Sequence, residues 1–97
     1  MFQQGRHNGG KLVAVRSAAN ELGLTRYAFA VPRRVGKAVT RNLVKRRLRE
    51  ILRQAPLIEG FDVVVTARPA AAEASFQVLK TELMTLLKRA RLLARED

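Results

Sequence analysis

The chain has 97 residues, a length that supports one domain and excludes a two-domain enzyme, because so short a chain buries only about two-thirds of its unfolded surface. Nineteen Lys and Arg residues against eight Asp and Glu residues give a net charge of +11 at pH 7. This charge exceeds what solubility requires, so we expect a polyanionic partner. The chain has no cysteine, which excludes disulfides and thiolate metal sites and fits the cytoplasm. No apolar run is long enough to span a bilayer, so we expect no membrane partner.

The first third of the chain predicts two strands. Residues 11–16 form a short run rich in Val and other aliphatic residues, and residues 17–24 have the composition of a connecting loop. In the second predicted strand, residues 25–31, the large side chains Tyr27 and Phe29 alternate with smaller or charged ones and therefore share one face. One face of this strand must form core, so burial and ligand binding are competing interpretations of both rings.

The second half of the chain predicts a helix, a strand and a helix. Apolar residues recur at helical spacing from about Ala38 to Ala55. The nearly continuous apolar segment Phe61–Ala67 predicts a central strand covered on both faces, parallel to the strand before the helix. Ser75 is the expected N-cap of a second amphipathic helix. The two predicted buried stripes are Val44, Leu48, Ile51, Leu52 and Ala55, then Phe76, Leu79, Leu83, Leu86, Leu87 and Ala90. Residues 1–97 are thus predicted to form one α+β domain, a small sandwich of a mixed β-sheet and helices.

The positive charge is concentrated in one segment. Residues 33–53 contain nine basic residues and one acidic residue, Glu50, and so carry +8 of the total +11. A cationic row at i, i+4 spacing runs beside the first apolar stripe, and by position Glu50 is expected to offset only Arg46 and Arg47. The row consists of Arg41, Lys45, Arg49 and Arg53, widened by Asn42 and Arg46. A solvated helix face is the alternative, but four repelling charges in a row are better explained by phosphates facing them.

The nucleic acid is expected to be RNA, and the chain alone is not expected to be a nuclease. No helix-turn-helix pair for DNA recognition is visible, and the strand-rich half favours RNA, although the spacing of the cations does not distinguish the two. His7 is the only histidine, and the eight carboxylates are scattered along the chain. Neither a metal site nor an acid/base pair is therefore predicted, and we expect no catalytic residue.

The cationic segment resembles the signature of the bacterial ribonuclease P protein component. The matching residues are Arg41, Asn42, Lys45, Arg46, Arg49 and Glu50. Residues 31–39 and 63–69 are similar to the family's loop before the helix and its last strand, and Phe2 to Gly5 resembles the end of its first helix. Leu43 stands where the family usually has Arg, so one RNA contact is expected to be missing. Met1 falls at the end of the family's N-terminal helix, so either that helix is truncated, or the start of the sequence is misassigned, or the chain is trimmed.

The resemblance implies a fold, a function and partners. The family's strand-helix-strand crossover is left-handed, as in a domain of elongation factor G, although about 98% of such crossovers are right-handed. The implied function is that of a protein subunit in a ribonucleoprotein that removes the 5′ leader from precursor transfer RNA in the cytoplasm. The implied partners are a catalytic RNA and precursor transfer RNA, with Mg²⁺ held mainly by the RNA, and no obligatory protein partner is evident.

The resemblance also assigns site residues. The expected contacts to RNA are Arg33, Arg34, Lys37, Arg41, Asn42, Lys45, Arg46 and Arg49. The candidates for leader binding are Phe2, Arg6, Tyr27 and Phe29, because an unpaired leader can stack its bases on aromatic rings. Two rival functions are a ribosomal or other structural RNA-binding protein and an autonomous nuclease. Faster cleavage of precursor when the protein is added to a cognate catalytic RNA at low magnesium tests against the first rival, and incubation of the protein alone with precursor tests against the second.

Overall fold

A four-stranded mixed sheet with two helices forms the molecule, and the computed structural model describes residues 5–94. The strands are β1 (Arg6–Gly9), β2 (Val13–Ala19), β3 (Arg26–Ala30) and β4 (Phe61–Ala67), and the helices are α1 (Ala38–Gln54) and α2 (Phe76–Arg89). Two short 3₁₀ helices cover Arg33–Val35 and Pro69–Glu73. The strand order is β1-β2-β4-β3.

The pairing of β3 with β4 confirms the predicted crossover. These two strands are parallel neighbours, and α1 connects them, whereas β2 pairs antiparallel with both β1 and β4. A parallel pair needs such a connection because the chain must return to the same end of the sheet. The α+β class is therefore confirmed, while the left-handed sense of the crossover stays a prediction.

One face of the sheet and both helices share a single core. Val15 of β2 pairs in register with Val65 of β4, and both side chains are buried against the helices. The two apolar stripes are buried as predicted, apart from Ala55 and Phe76, which are half-buried at the margin. Leu48 of α1 and Leu83 of α2 have no exposed surface. The core cluster therefore holds α1 against the sheet, and the opposite side of α1 faces solvent.

The structure corrects the predicted strands in the first third of the chain. β1 was not predicted, and β2 begins at Val13 and runs to Ala19, so part of the expected loop 17–24 is strand. The extension follows from pairing, because the end of β2 pairs with Phe61 at the start of β4. β3 is one residue shorter at each end than the predicted segment 25–31.

The expectation that both faces of β4 are covered is wrong for the described residues. Val63 and Val65 face the helices, but Asp62, Val64 and Thr66 on the other face are only half-buried. The reason is that α1 and α2 both contribute to the core on the first face. The second face, which we call the open face, carries no helix within residues 5–94.

Glu82 closes the hairpin between β1 and β2. Its carboxylate on α2 accepts hydrogen bonds from the backbone N–H groups of Lys11, Leu12 and Val13, at 3.2, 2.6 and 2.9 Å. A Cβ atom at Gly10 would lie 2.5 Å from Glu82 Oε2, so any other residue here would have to displace this carboxylate. The contact spans about seventy residues of sequence, which is why no local pattern predicts it.

Candidate nucleic-acid interface

The outer side of α1 carries the exposed polar residues of the helix. Because the stripe containing Val44 and Leu48 faces the core, residues on the opposite side of the turn point to solvent. Four of the predicted RNA contacts are exposed there, and we call them the α1 outer surface. They are Asn42, Lys45, Arg46 and Arg49. No carboxylate in the described part of the chain forms an ion pair with any of these cations.

Three further cations that were predicted to contact RNA lie in the segment before α1. Arg33, Arg34 and Lys37 are exposed on a 3₁₀ turn and on the N-cap position, and buried Val35 anchors the turn in the core. Gly36 follows with φ 154° and ψ −169°, a backbone conformation that is essentially restricted to glycine. The structure therefore brings these cations next to the N-terminal end of the α1 outer surface.

Arg41 differs from the other predicted contacts because part of its side chain is used by the fold. It is half-buried, and its Nε donates a hydrogen bond of 3.1 Å to the backbone oxygen of Gly36. A Cβ atom on Gly36 would also come within 3.1 Å of the Thr40 side chain, so there is little space for a side chain at Gly36. Arg41 thus ties the loop to the helix that follows it.

The only acidic residue of α1 is paired differently from the expectation. Glu50 binds Arg53 at 2.7 Å and accepts a hydrogen bond from Gln54, whereas the spacing had suggested Arg46 and Arg47. The hydrogen bond from Arg53 lowers the pKa of Glu50, and Glu50 raises the pKa of Arg53. Arg47 instead donates to the backbone oxygen of Ala74 at 2.9 Å. With Arg41, three basic residues of the helix therefore have local partners, and the α1 outer surface keeps its charge.

The predicted leader-binding residues do not form one cluster. Tyr27 and Phe29 pair in register with Val63 and Val65 and so lie on the helix side of the sheet. Arg6 is exposed on β1, at the opposite edge, three strand spacings or about 14 Å away. Phe2 lies outside the described residues. The structure therefore places Arg6 and Tyr27 at opposite edges of the sheet.

The open face carries a basic cluster that the sequence interpretation missed. His7 pairs in register with Arg16, and a Cβ atom on Gly9 would lie 2.7 Å from Nη2 of Arg68 and 3.7 Å from Cε1 of His7. Arg68 is exposed beyond the end of β4. The alternation of side chains along β2 could have predicted that Arg16 lies on the face opposite Val15. The position of His7 beside Arg16 could not be predicted, because β1 was not recognised as a strand.

A second pair on the open face joins β3 to β4. Arg26 binds Asp62 with two hydrogen bonds of 2.9 and 2.8 Å, and Asn20 donates a third to the same carboxylate. The hydrogen bond from Arg26, followed by that from Asn20, lowers the pKa of Asp62 to about 2. The carboxylate therefore stays ionised and holds Arg26 at the edge of the sheet.

Comparison with known proteins gives the family. The sequence model of the Ribonuclease P family matches residues 1–91. The chain is 40% identical over 99 residues to the ribonuclease P protein component of Symbiobacterium thermophilum, covering 99% of this chain and 86% of that protein. The chain belongs to the ribonuclease P protein family.

Solved structures agree with this membership. The RNase P protein of Staphylococcus aureus superposes with a TM-score of 0.84 and 25% identity, covering 95% of this chain and 86% of that one. The RNase P protein of Thermotoga maritima gives a TM-score of 0.81 and 31% identity, covering 90% and 84%. The mixed sheet with its crossover helix is thus the fold of ribonuclease P proteins.

The structure shows where Leu43, the residue at which this chain differs from the ribonuclease P family motif, lies on α1. Leu43 is half-buried on α1 and does not belong to the core cluster. This agrees with its predicted position away from the apolar stripe, on the side of the helix where Arg47 lies. The position can therefore present a side chain to a partner.

Two further properties concern metals and membranes. Residues 5–94 contain no group of three or more His, Cys, Asp or Glu residues that could hold a metal ion. None of the helices in this part of the chain has the length and apolar character needed to cross a membrane.

Proposed function

We propose that this chain is the protein subunit of ribonuclease P and that it docks on the catalytic RNA through the α1 outer surface. The observation that carries the proposal is the exposure of Lys45, Arg46 and Arg49 on one side of a helix whose single carboxylate is bound to Arg53. Each phosphate that such a cation neutralises releases counterions, which favours binding. Asn42 adds an amide that can bond to a base edge or a ribose hydroxyl.

The segment before α1 extends this proposed interface. Arg33, Arg34 and Lys37 are exposed and reach the same end of the helix, where they would contact further phosphates. Arg41 contributes to the interface from a position that its bond to Gly36 fixes. This hydrogen bond orders the Arg41 side chain before RNA binds, which reduces the conformational entropy that the side chain loses on binding.

The finer proposal concerns the reaction. In this proposal the ribonucleoprotein removes the 5′ leader from precursor transfer RNA in the cytoplasm, and the catalytic RNA carries the chemistry with Mg²⁺ that the RNA holds. The family membership supports this proposal, since the relatives are named protein components of a ribonuclease. The role of the chain itself is to bind RNA and to favour substrates that carry a leader.

We propose Phe2 and Arg6 as the candidates for leader binding. A single-stranded leader offers phosphates for Arg6 and base faces for an aromatic ring. We expect Phe2→Ala and Arg6→Ala to weaken holoenzyme binding of precursor transfer RNA more than binding of mature transfer RNA. Equal losses for both RNAs would contradict a role in leader recognition.

Reconstitution tests the function directly. Purified protein is added to bacterial ribonuclease P RNA and precursor transfer RNA at low Mg²⁺, and we expect faster cleavage than with RNA alone. Binding without faster cleavage would favour a structural RNA-binding protein. Cleavage by the protein without RNA would favour an autonomous nuclease.

Two variants of the same helix provide a matched control. Arg46→Ala removes an exposed cation without a carboxylate partner, whereas Arg53→Ala removes one that Glu50 already neutralises. We expect Arg46→Ala to lower the slope of log affinity against log salt by about one unit and Arg53→Ala to lower it less. The reverse order would show that the α1 outer surface is not the docking surface.

A further inference from the structure

The outer edge of the sheet displays an aromatic pair. β3 is an edge strand, and within residues 5–94 no strand pairs with its outer side. Phe29 packs against the core, whereas Tyr27 is 39% exposed. The ring centroids are 5.7 Å apart and the planes are tilted by 56°, so the rings do not stack on each other and part of the Tyr27 ring remains accessible.

The strand β3, which carries the exposed ring of Tyr27, packs beside α1. The hydrogen bond with Glu50 is the main cause that raises the pKa of Arg53, and the nearby Tyr27 phenol adds to it electrostatically. From Arg53, the helix repeats a cation at each preceding turn, at Arg49 and then at Lys45. The ring of Tyr27 is therefore continuous with the cationic side of the helix.

This juxtaposition matches the chemistry of unpaired RNA. A row of cations follows a phosphate backbone, and an adjacent aromatic ring accepts the face of a base. The Tyr27 hydroxyl forms no hydrogen bond with any residue that the structure describes, so no intramolecular bond is lost when a base covers the ring. The charge of the neighbouring helix selects a polyanion over an apolar peptide.

We propose that Tyr27 stacks on one unpaired base of the catalytic RNA that docks on α1, with Phe29 supporting the ring from the core. The inference rests on the proposed docking of this helix. It assigns Tyr27 to the catalytic RNA and not to the leader, because Tyr27 lies on the sheet edge that packs beside α1, whereas Arg6 lies on the opposite edge.

The chain contains the optical probe that tests this contact. It has one tyrosine and no tryptophan, so its intrinsic emission above 300 nm reports Tyr27 alone. We expect titration with ribonuclease P RNA to quench this emission with saturation, after correction for absorbance with free tyrosine amide. Arg46→Ala should move the midpoint to higher RNA concentration without changing the quenched fraction at saturation. Tight binding with unchanged emission would overturn the proposal.

Two substitutions separate stacking from the hydroxyl. Tyr27→Phe keeps the aromatic face, so we expect affinity for the RNA within about twofold of the parent, a change near the limit of a titration. Tyr27→Leu removes the face, and we expect a loss of roughly five- to a hundredfold with an unchanged salt slope, because no phosphate contact is removed. Equal losses for both variants would assign the effect to the hydroxyl and overturn stacking.

The outcomes distinguish this inference from the proposed function. If the parent protein does not bind ribonuclease P RNA, the proposed function fails and this inference fails with it. If Arg46→Ala lowers the salt slope while Tyr27→Leu changes nothing, only the stacking site fails. Quenching that appears only when precursor transfer RNA joins a preformed complex would assign Tyr27 to the substrate and overturn the present assignment.

Discussion

The two helices bury similar stripes but present different outer sides. α1 buries Val44 and Leu48, and α2 buries Leu79 and Leu83, all in one core. Over the first three turns of α2 the fully exposed residues are uncharged and the one cation, Lys80, is half-buried, so exposed cations appear only at the end of the helix. Its exposed residues are Gln77, Val78, Thr81, Thr85, Lys88 and Arg89. Since α2 packs on the same core without a row of cations, the charge of α1 is not needed for folding and is explained by a partner.

The first test of this comparison concerns the shared inner side. Leu48→Ala and Leu83→Ala should each lower the free energy of unfolding by about 2–5 kcal/mol, because both side chains are fully buried in one cluster. Arg49→Ala is the control on the outer side and should change stability by less than about 0.5 kcal/mol. Denaturant titration measures all three. A loss under 1 kcal/mol for Leu48→Ala would mean that this face of α1 contributes little to the core.

The second test removes the same charge from each helix. Replacing Lys45, Arg46 and Arg49 by Gln on α1 should lower the salt slope for RNA binding by about 2–3 units and the affinity by about a hundredfold near physiological salt. The control replaces Lys80, Lys88 and Arg89 of α2 by Gln, which also changes the net charge from +11 to +8. We expect a much smaller loss for the control. Equal losses would show that net charge governs binding, regardless of the helix.

Features that depend on the spacing of residues along one helix could be predicted from the sequence. Features that depend on contacts between residues far apart in the sequence required the structure. Val44, Leu48 and Leu83 recur at helical spacing, so the buried stripes and the direction of the cationic side could be read from local pattern. β1 could not be read in this way. It contains His7, Asn8 and Gly9, which are weak strand formers, and pairing with β2 together with the carboxylate of Glu82 orders it.

The candidate site shows the same division. The outer position of Arg46 follows from helical geometry alone. The pairing of Glu50 with Arg53 could not be chosen by spacing, because several cations lie within one turn of this carboxylate. The separation of Arg6 from Tyr27 depends on the strand order, which places β1 and β3 at opposite edges. Sequence therefore identified the residues that share the outer side of α1, but not the ion pair within the helix or the arrangement of residues across the sheet.

The third test compares the N-termini of the helices. Ser75 caps α2 by accepting a hydrogen bond from the N–H of Val78, whereas the N-cap of α1, Lys37, makes no such bond. Ser75→Ala should lower stability by about 1 kcal/mol. Lys37→Ser should raise stability by several tenths of a kcal/mol and weaken RNA binding, because it gains a cap and loses a cation. Thermal unfolding and an RNA titration measure the two effects.

An unchanged affinity for Lys37→Ser would remove Lys37 from the proposed interface. A loss of stability would mean that the backbone at this position does not accept a side-chain cap. Either result would weaken the interpretation that the N-terminus of α1 favours RNA contact at the expense of helix stability, in contrast to that of α2.

The last test adds one charge to each helix. Leu43→Arg places a cation where the family motif usually has one, at a half-buried position outside the core cluster. We expect the salt slope for RNA binding to rise by about 0.9 units and affinity to rise roughly fivefold near physiological salt. Stability should change little, because the aliphatic part of arginine can cover the surface that leucine covers.

Two controls isolate the position of that charge. Leu43→Gln removes the leucine without adding charge, so a gain in affinity from this variant would show that the leucine itself obstructs binding. Val78→Arg adds the same charge to α2 at a residue that is 55% exposed, and it should leave RNA affinity nearly unchanged. If Leu43→Arg and Val78→Arg raise affinity equally, RNA responds to the total charge and the contrast between the two helices has no functional meaning. A gain confined to Leu43→Arg would show that the RNA lies along α1 on the side of Leu43 as well as along the α1 outer surface.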